Sequence, residues 1–223
     1  MKASAASVNV DVNGKGVSTL EIIEMMTILA LLPTILIMTS CFTRIVIVLS
    51  FLRNALGLQN TPPNQVLVGI ALFLSLFIMS PVVSKINTDA YEPYKQQKIT
   101  QQQFLQKASV PLKEFMLKNT KKDDLDLFIN LAKVKSTTPV KDLSITVIIP
   151  AYMTSELKRA FIIGFLIYIP FLIIDMIVSS TLMSMGMVML PPNMVSLPFK
   201  LLLFIIVDGW DLLFKTLAVS FHL

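Results

Sequence analysis

Charge and polar chemistry are scarce in this sequence. Only 15% of its 223 residues are charged, against 54% hydrophobic, a balance far from that of an ordinary soluble domain. A single cysteine, Cys41, leaves no internal disulfide to form, and a single histidine, His222, is the penultimate residue. Without a second histidine or an activated cysteine, nucleophile–base triads and most metal hydrolases lack their parts, so no catalytic residue, metal ligand or cofactor is assigned and the chain is not expected to be an enzyme. The first nineteen residues lack the apolar core of a secretory signal.

The sequence has long apolar runs instead, with a mean hydropathy of +0.72. A hydrocarbon layer roughly 30 Å thick requires about 20 apolar residues of helix. Four candidates stand out: residues 25–52, broken only by Arg44; the uncharged run 66–83; 161–190, with Asp175 near its middle; and 197–213, which holds Lys200, Asp208 and Asp211.

Between the second and third runs lies a polar insert, 84–159. It carries thirteen of the nineteen Lys and Arg and eight of the fourteen acidic residues, so its +5 equals the net charge of the chain. Phe104, Leu105, Ala108, Leu112, Phe115 and Met116 recur at helical spacing and predict one amphipathic helix despite Pro111. A second helix should start at Thr120, with Thr120 as its cap and Asp123 three residues on. The lysines read as a solvated face. A basic patch for nucleic acid is the lesser reading, and nucleic acid is not expected as a partner. The expected organisation is therefore all-α: a polar segment 1–20, a hydrophobic helical hairpin 21–83, the helical insert 84–159, and a second hydrophobic hairpin 160–223. Proline-rich turns join the helices within each hairpin, RNALGLQNTPPNQ in the first and MSMGMVMLPPN in the second.

A charge facing lipid costs several kcal/mol at the bilayer centre. Arg44, Glu156, Asp175, Lys200, Asp208 and Asp211 should thus face protein or water, and they point to assembly with further copies of the chain. Lys200 is expected to pair with Asp175 or Glu156, within the chain or across a subunit boundary, and Asp211 stands four residues before Lys215. Lys200 and Glu156 could instead reach solvent from helix ends.

Met183, Met185, Met187 and Met189 stand at every second position around Gly186, just before two prolines. Three uses are open. Methionine fills irregular apolar cores; thioethers also favour Cu(I). In an extended loop the four would point one way, and several copies around an axis would form a pliable apolar ring that excludes ions and yields to a passing polypeptide.

Three stretches closely resemble the FliP family of flagellar type III export-gate proteins, which includes the equivalent gate subunits of virulence secretion systems. They are 38–82, opening MTSCFTRIVIVLSFLRNALGLQNTPPNQ; DAYEPY at 89–94; and 149–213, opening IPAYMTSELKRAF and containing MSMGMVMLPPNMVSLPFK. The likeness covers nearly everything after residue 24. It implies a channel subunit in the bacterial inner membrane at the flagellar basal body. It also implies a ring of several copies, with five the expected number, FliQ and FliR as partners, and FlhB and FlhA nearby. The insert would lie on the outer side, and the methionine loop would seal a path for unfolded flagellar proteins. Family members usually begin with a cleavable secretory signal, a pattern not legible in the first residues here. Two readings compete with this one: a copper or small-ion transporter, and a purely structural scaffold of the basal body.

Overall fold

The computed structural model describes residues 10–12, 15–17, 19–134, 139–187 and 189–222. The class is all-α, as expected. The only strands among the described residues are β1 (Val10–Val12) and β2 (Lys15–Val17), an antiparallel pair with Val10 opposite Val17. They belong with most of helix α1 (Thr19–Thr39) to a first compact unit, residues 1–38. Everything else forms a second unit, residues 39–223.

The second unit opens with α2 (Phe42–Ala55) and α3 (Asn64–Ile86), which runs through one π-helical turn (Asn87–Tyr91) into α4 (Glu92–Lys95). The insert continues as α5 (Gln101–Asn119) and α6 (Lys122–Leu131). The long α7 (Ile145–Ser184) comes next, then α8 (Pro192–Ile206) and α9 (Gly209–Val219). At 1.5 Å per residue, the 40 residues of α7 span about 60 Å, twice the hydrocarbon thickness. This helix passes residue 159 without a break, so Glu156 and Lys158 of the polar insert ride on the same helix as Asp175.

Two of the four apolar runs are not single helices. The first divides at Ser40 and Cys41, between α1 and α2. The fourth divides at Val207 and Asp208, where Asp208 takes a left-handed backbone (φ +51°). A residue in that conformation ends the helical hydrogen-bond ladder, which hydropathy cannot register. By length and composition, Asn64–Lys95 and Ile145–Ser184 can each cross a membrane. Pro33–Thr39 and Phe42–Ala55 make a third span if taken together, and α8 is shorter.

The core forms where α2 meets α7 and α3. Ile45, Val48, Leu49, Leu52 and Ala55 bury one face of α2 at the 3–4 residue spacing of a helix stripe. They pack with Leu67 and Ala71 of α3 and Ile148, Tyr152 and Ala160 of α7. Gly164 lets α7 approach closely: a Cβ there would lie 2.5 Å from the Phe51 ring.

In the insert, α5 forms through Pro111 as predicted and buries Phe115 and Met116. Its start is a full capping box: the Thr100 hydroxyl accepts from the Gln103 amide at 3.3 Å, and the Gln103 side chain accepts from the Thr100 amide at 3.0 Å. The expected Thr120 cap of α6 does not form. Its hydroxyl donates back to the Met116 carbonyl at 2.7 Å, and α6 begins after Lys121 with no side-chain cap. The Lys121 amide is taken up instead by the Ser155 hydroxyl of α7, at 2.9 Å.

Candidate functional site

Three of the charged groups singled out in the sequence are buried in this chain, and each has a defined partner. Arg44 of α2 and Glu156 of α7 are both fully buried. The guanidinium meets the carboxylate edge-on, Nε donating to Oε2 at 2.8 Å and Nη2 to Oε1, while Nη1 donates to the Ser220 carbonyl and hydroxyl. Such a planar fork satisfies both carboxylate oxygens, the condition under which a buried charge pair is tolerated. One turn earlier on α7, the buried Tyr152 donates its hydroxyl to the Ser40 carbonyl at 2.9 Å, at the break between α1 and α2.

Lys200 of α8 takes the other acid. Its Nζ lies 2.6 Å from Asp175 Oδ2 and 3.0 Å from the Ala55 carbonyl in the last turn of α2. The second Asp175 oxygen accepts from the buried Ser196 hydroxyl at 2.6 Å. Groups from α2, α7 and α8 therefore meet at one ion pair. The contact is made within the chain.

The methionines stand at the far end of the same helix. α7 carries Met183 and Leu182 in its last turn and then stops at Gly186, whose φ of +77° suits a residue without Cβ. The Gly186 amide bonds the Met183 carbonyl at 3.1 Å and the Met187 amide bonds the Leu182 carbonyl at 3.0 Å, the paired pattern of a glycine-terminated helix. The run is therefore not extended throughout. Met183 and Met185 sit on the helix end, where two residues apart is about 200° of rotation, and the chain leaves the helix only beyond Gly186. All four thioethers are exposed, Met183 at 68%, Met185 at 66%, Met187 at 46% and Met189 at 99%. They fill no core in this chain. Pro191 and Pro192 then start α8, with proline at its first position.

Asp208 and Asp211 are exposed in the single chain, at and just after the α8–α9 break, and no ion pair joins Asp211 to Lys215 among the described residues. No group of three or more His, Cys, Asp or Glu among them could hold a metal ion.

The sequence pattern of the FliP family matches residues 25–217. The chain belongs to the FliP family. It is 55% identical over 204 residues to the flagellar biosynthetic protein FliP of Bacillus subtilis, covering 92% of both chains. The protein of the same name from Pectobacterium carotovorum is 48% identical across 92% of this chain and 79% of its own. That of Aquifex aeolicus is 46% identical across 94% and 88%. The family match takes in the Arg44–Glu156 and Asp175–Lys200 pairs and the whole methionine turn. It stops short of Ser220, the residue that receives Arg44 Nη1.

Some contacts had no legible signal in the sequence. Ser220 and Asn119 are ordinary polar residues whose partners lie more than 100 positions away. Ser196 comes after the methionine turn and could have been noticed only as a hydroxyl one helical turn before Lys200.

Proposed function

We propose that this chain is a channel-forming subunit of the flagellar type III protein export gate, with no catalytic role of its own, in the bacterial inner membrane at the flagellar basal body. Several copies, five by expectation, would assemble with FliQ and FliR beside FlhB and FlhA and pass unfolded flagellar proteins. In this reading the insert 84–159 lies on the outer side, between hairpins 21–83 and 160–223. Met183, Met185, Met187 and Met189 from neighbouring copies close the path, and the charges at 44, 156, 175, 200, 208 and 211 hold the assembly.

Membership of the FliP family and the flagellar names of its relatives support the setting. One observation carries the seal: four exposed thioethers stand at a helix end whose two stems are fixed by the Asp175–Ser196–Lys200 contacts. Side chains that are apolar and mobile on a fixed mount can repack against one another and part around an object.

The test replaces the single native cysteine and places one in the methionine run. In a Cys41→Ala background, Met187→Cys should crosslink between copies in assembled complexes when treated with a short bifunctional thiol reagent, producing a dimer, the limit for one thiol per copy. Assembled complexes that yield no crosslinked species would place these residues away from one another and overturn the seal.

A further inference from the structure

Residues 220–222 come after α9 and are gripped by side chains from two separate elements. On α2, Arg44 donates from Nη1 to the Ser220 carbonyl and to the Ser220 hydroxyl, each at 2.8 Å. That hydroxyl donates in turn to the Leu217 carbonyl at 2.8 Å, which turns its lone pairs toward the guanidinium. The Phe221 ring is buried, with the Arg44 guanidinium carbon 3.7 Å from its centroid, and it stacks with Phe115 of α5 at 6.5 Å.

The second grip is Asn119, the last residue of α5 and fully buried. Its Nδ2 donates to the His222 carbonyl at 2.9 Å and its Oδ1 accepts from the His222 amide at 3.0 Å. A side-chain amide here reproduces one rung of a strand ladder. Nδ2 also donates to the Phe115 carbonyl at 3.0 Å within α5, whereas the buried Oδ1 keeps its His222 amide only while the segment is in place.

The division of labour around Arg44 matters. Glu156 takes its Nε and Nη2 edge, Ser220 takes Nη1, and Phe221 covers a face of the plane. The segment is thus both the lid on the buried ion pair and one tie between the insert and the apolar helices, beside the contacts of Lys121 and Asp124 with Ser155 of α7. It is also short and irregular, held by a few hydrogen bonds and one ring. Such pieces open locally at far lower cost than a helix core.

We propose that residues 220–222 form a releasable latch, which fastens the end of insert helix α5 to the Arg44–Glu156 pair and exposes that pair when it lets go. Anything that draws Phe221 from its seat loosens the insert and hydrates the joint between α2 and α7 in one event.

Hydrogen exchange on the intact chain in detergent tests this. In the unmodified protein, the amides of His222 and of the last turn of α5 should open together, with the same shallow denaturant dependence and before those of residues 49–55. Phe221→Ala and Asn119→Ala should each speed exchange at residues 112–120 and 42–48 about tenfold, leaving residues 101–108 and 192–206 unchanged. Opening of His222 only with the whole molecule, or uniform acceleration along the chain in both variants, would make the segment ordinary packing and overturn the latch. The first comparison requires no variant to fold.

Discussion

The Lys200 ammonium lies 2.6 Å from Asp175 and 3.0 Å from the Ala55 carbonyl, with only 3% of the residue exposed. Asp175 keeps a quarter of its side chain exposed, so removing one member of the pair costs less than the roughly 3–5 kcal/mol of a fully buried one, whereas replacing both by apolar residues is often neutral. Lys200→Glu places a second carboxylate against the first and should abolish stable protein or its assembly. Lys200→Met should lose most of its thermal stability in detergent, and Lys200→Met with Asp175→Leu should regain it. A Lys200→Glu variant that melts and assembles like the parent would mean the lysine is merely solvated.

The Arg44–Glu156 pair should behave as a graded series. Glu156→Gln keeps one acceptor for the guanidinium and removes the charge, while Glu156→Ala removes both and opens a cavity. Melting temperatures should fall in that order, with Arg44→Met at least as low as Glu156→Ala because it also releases Ser220. An Arg44→Met variant milder than Glu156→Gln would show that the pair is not what holds α2 to α7.

The insert should lose stability in acid through Asp124. Burial alone would raise its carboxyl, but the Lys158 ammonium and the Ser155 hydroxyl, 2.7 Å away, hold it below the usual carboxylate range. A carboxyl lowered by folding binds fewer protons in the folded than in the unfolded state. Its contribution is therefore complete above the ordinary value of about 3.9 and is lost as pH falls through the lower folded value. Melting monitored from about pH 6 down to about pH 2.5 should show this acid loss, and Lys158→Met should reduce it. An identical acid profile in Lys158→Met would assign the loss to other groups.

Much of this arrangement comes from rules that act locally. The apolar stripe of α2, the amphipathic α5 and the prolines after Met189 are all set by residues within a turn or two, and opposite charges in an apolar setting already pointed Lys200 toward an acid. The cap expected at Thr120 gave way because its hydroxyl bonds the Met116 carbonyl, while the box that does form, Thr100 with Gln103, was not singled out. The rest depends on tertiary placement. Hydropathy sees 197–213 as one run, yet the left-handed Asp208 divides it, and the partner of Glu156 lies 112 positions away. The methionine spacing suggested one extended loop, but nothing before Gly186 interrupts α7, so the helix keeps the first two.

The α8–α9 break is built around an absent side chain. A Cβ on Gly209 would lie 2.2 Å from the Phe204 ring, which itself packs edge-on against Trp210 at 5.3 Å. The ring has to shift, and overpacking of this kind costs roughly 1–3 kcal/mol. Gly209→Ala should lower the melting temperature, and Gly209→Ala with Phe204→Leu should restore part of it. Full stability of the single variant would show that α9 can slide without loss.

The central claim is that thioethers at positions 183, 185, 187 and 189 close a path shared between copies. Its most direct test is ion conductance of purified, assembled complexes in planar bilayers, with no export substrate present. Complexes carrying Met185→Ala, Met187→Ala and Met189→Ala together should assemble normally and leak at least tenfold more than the parent. Parent and triple variant equally tight to ions, in complexes of equal composition, would contradict a methionine seal.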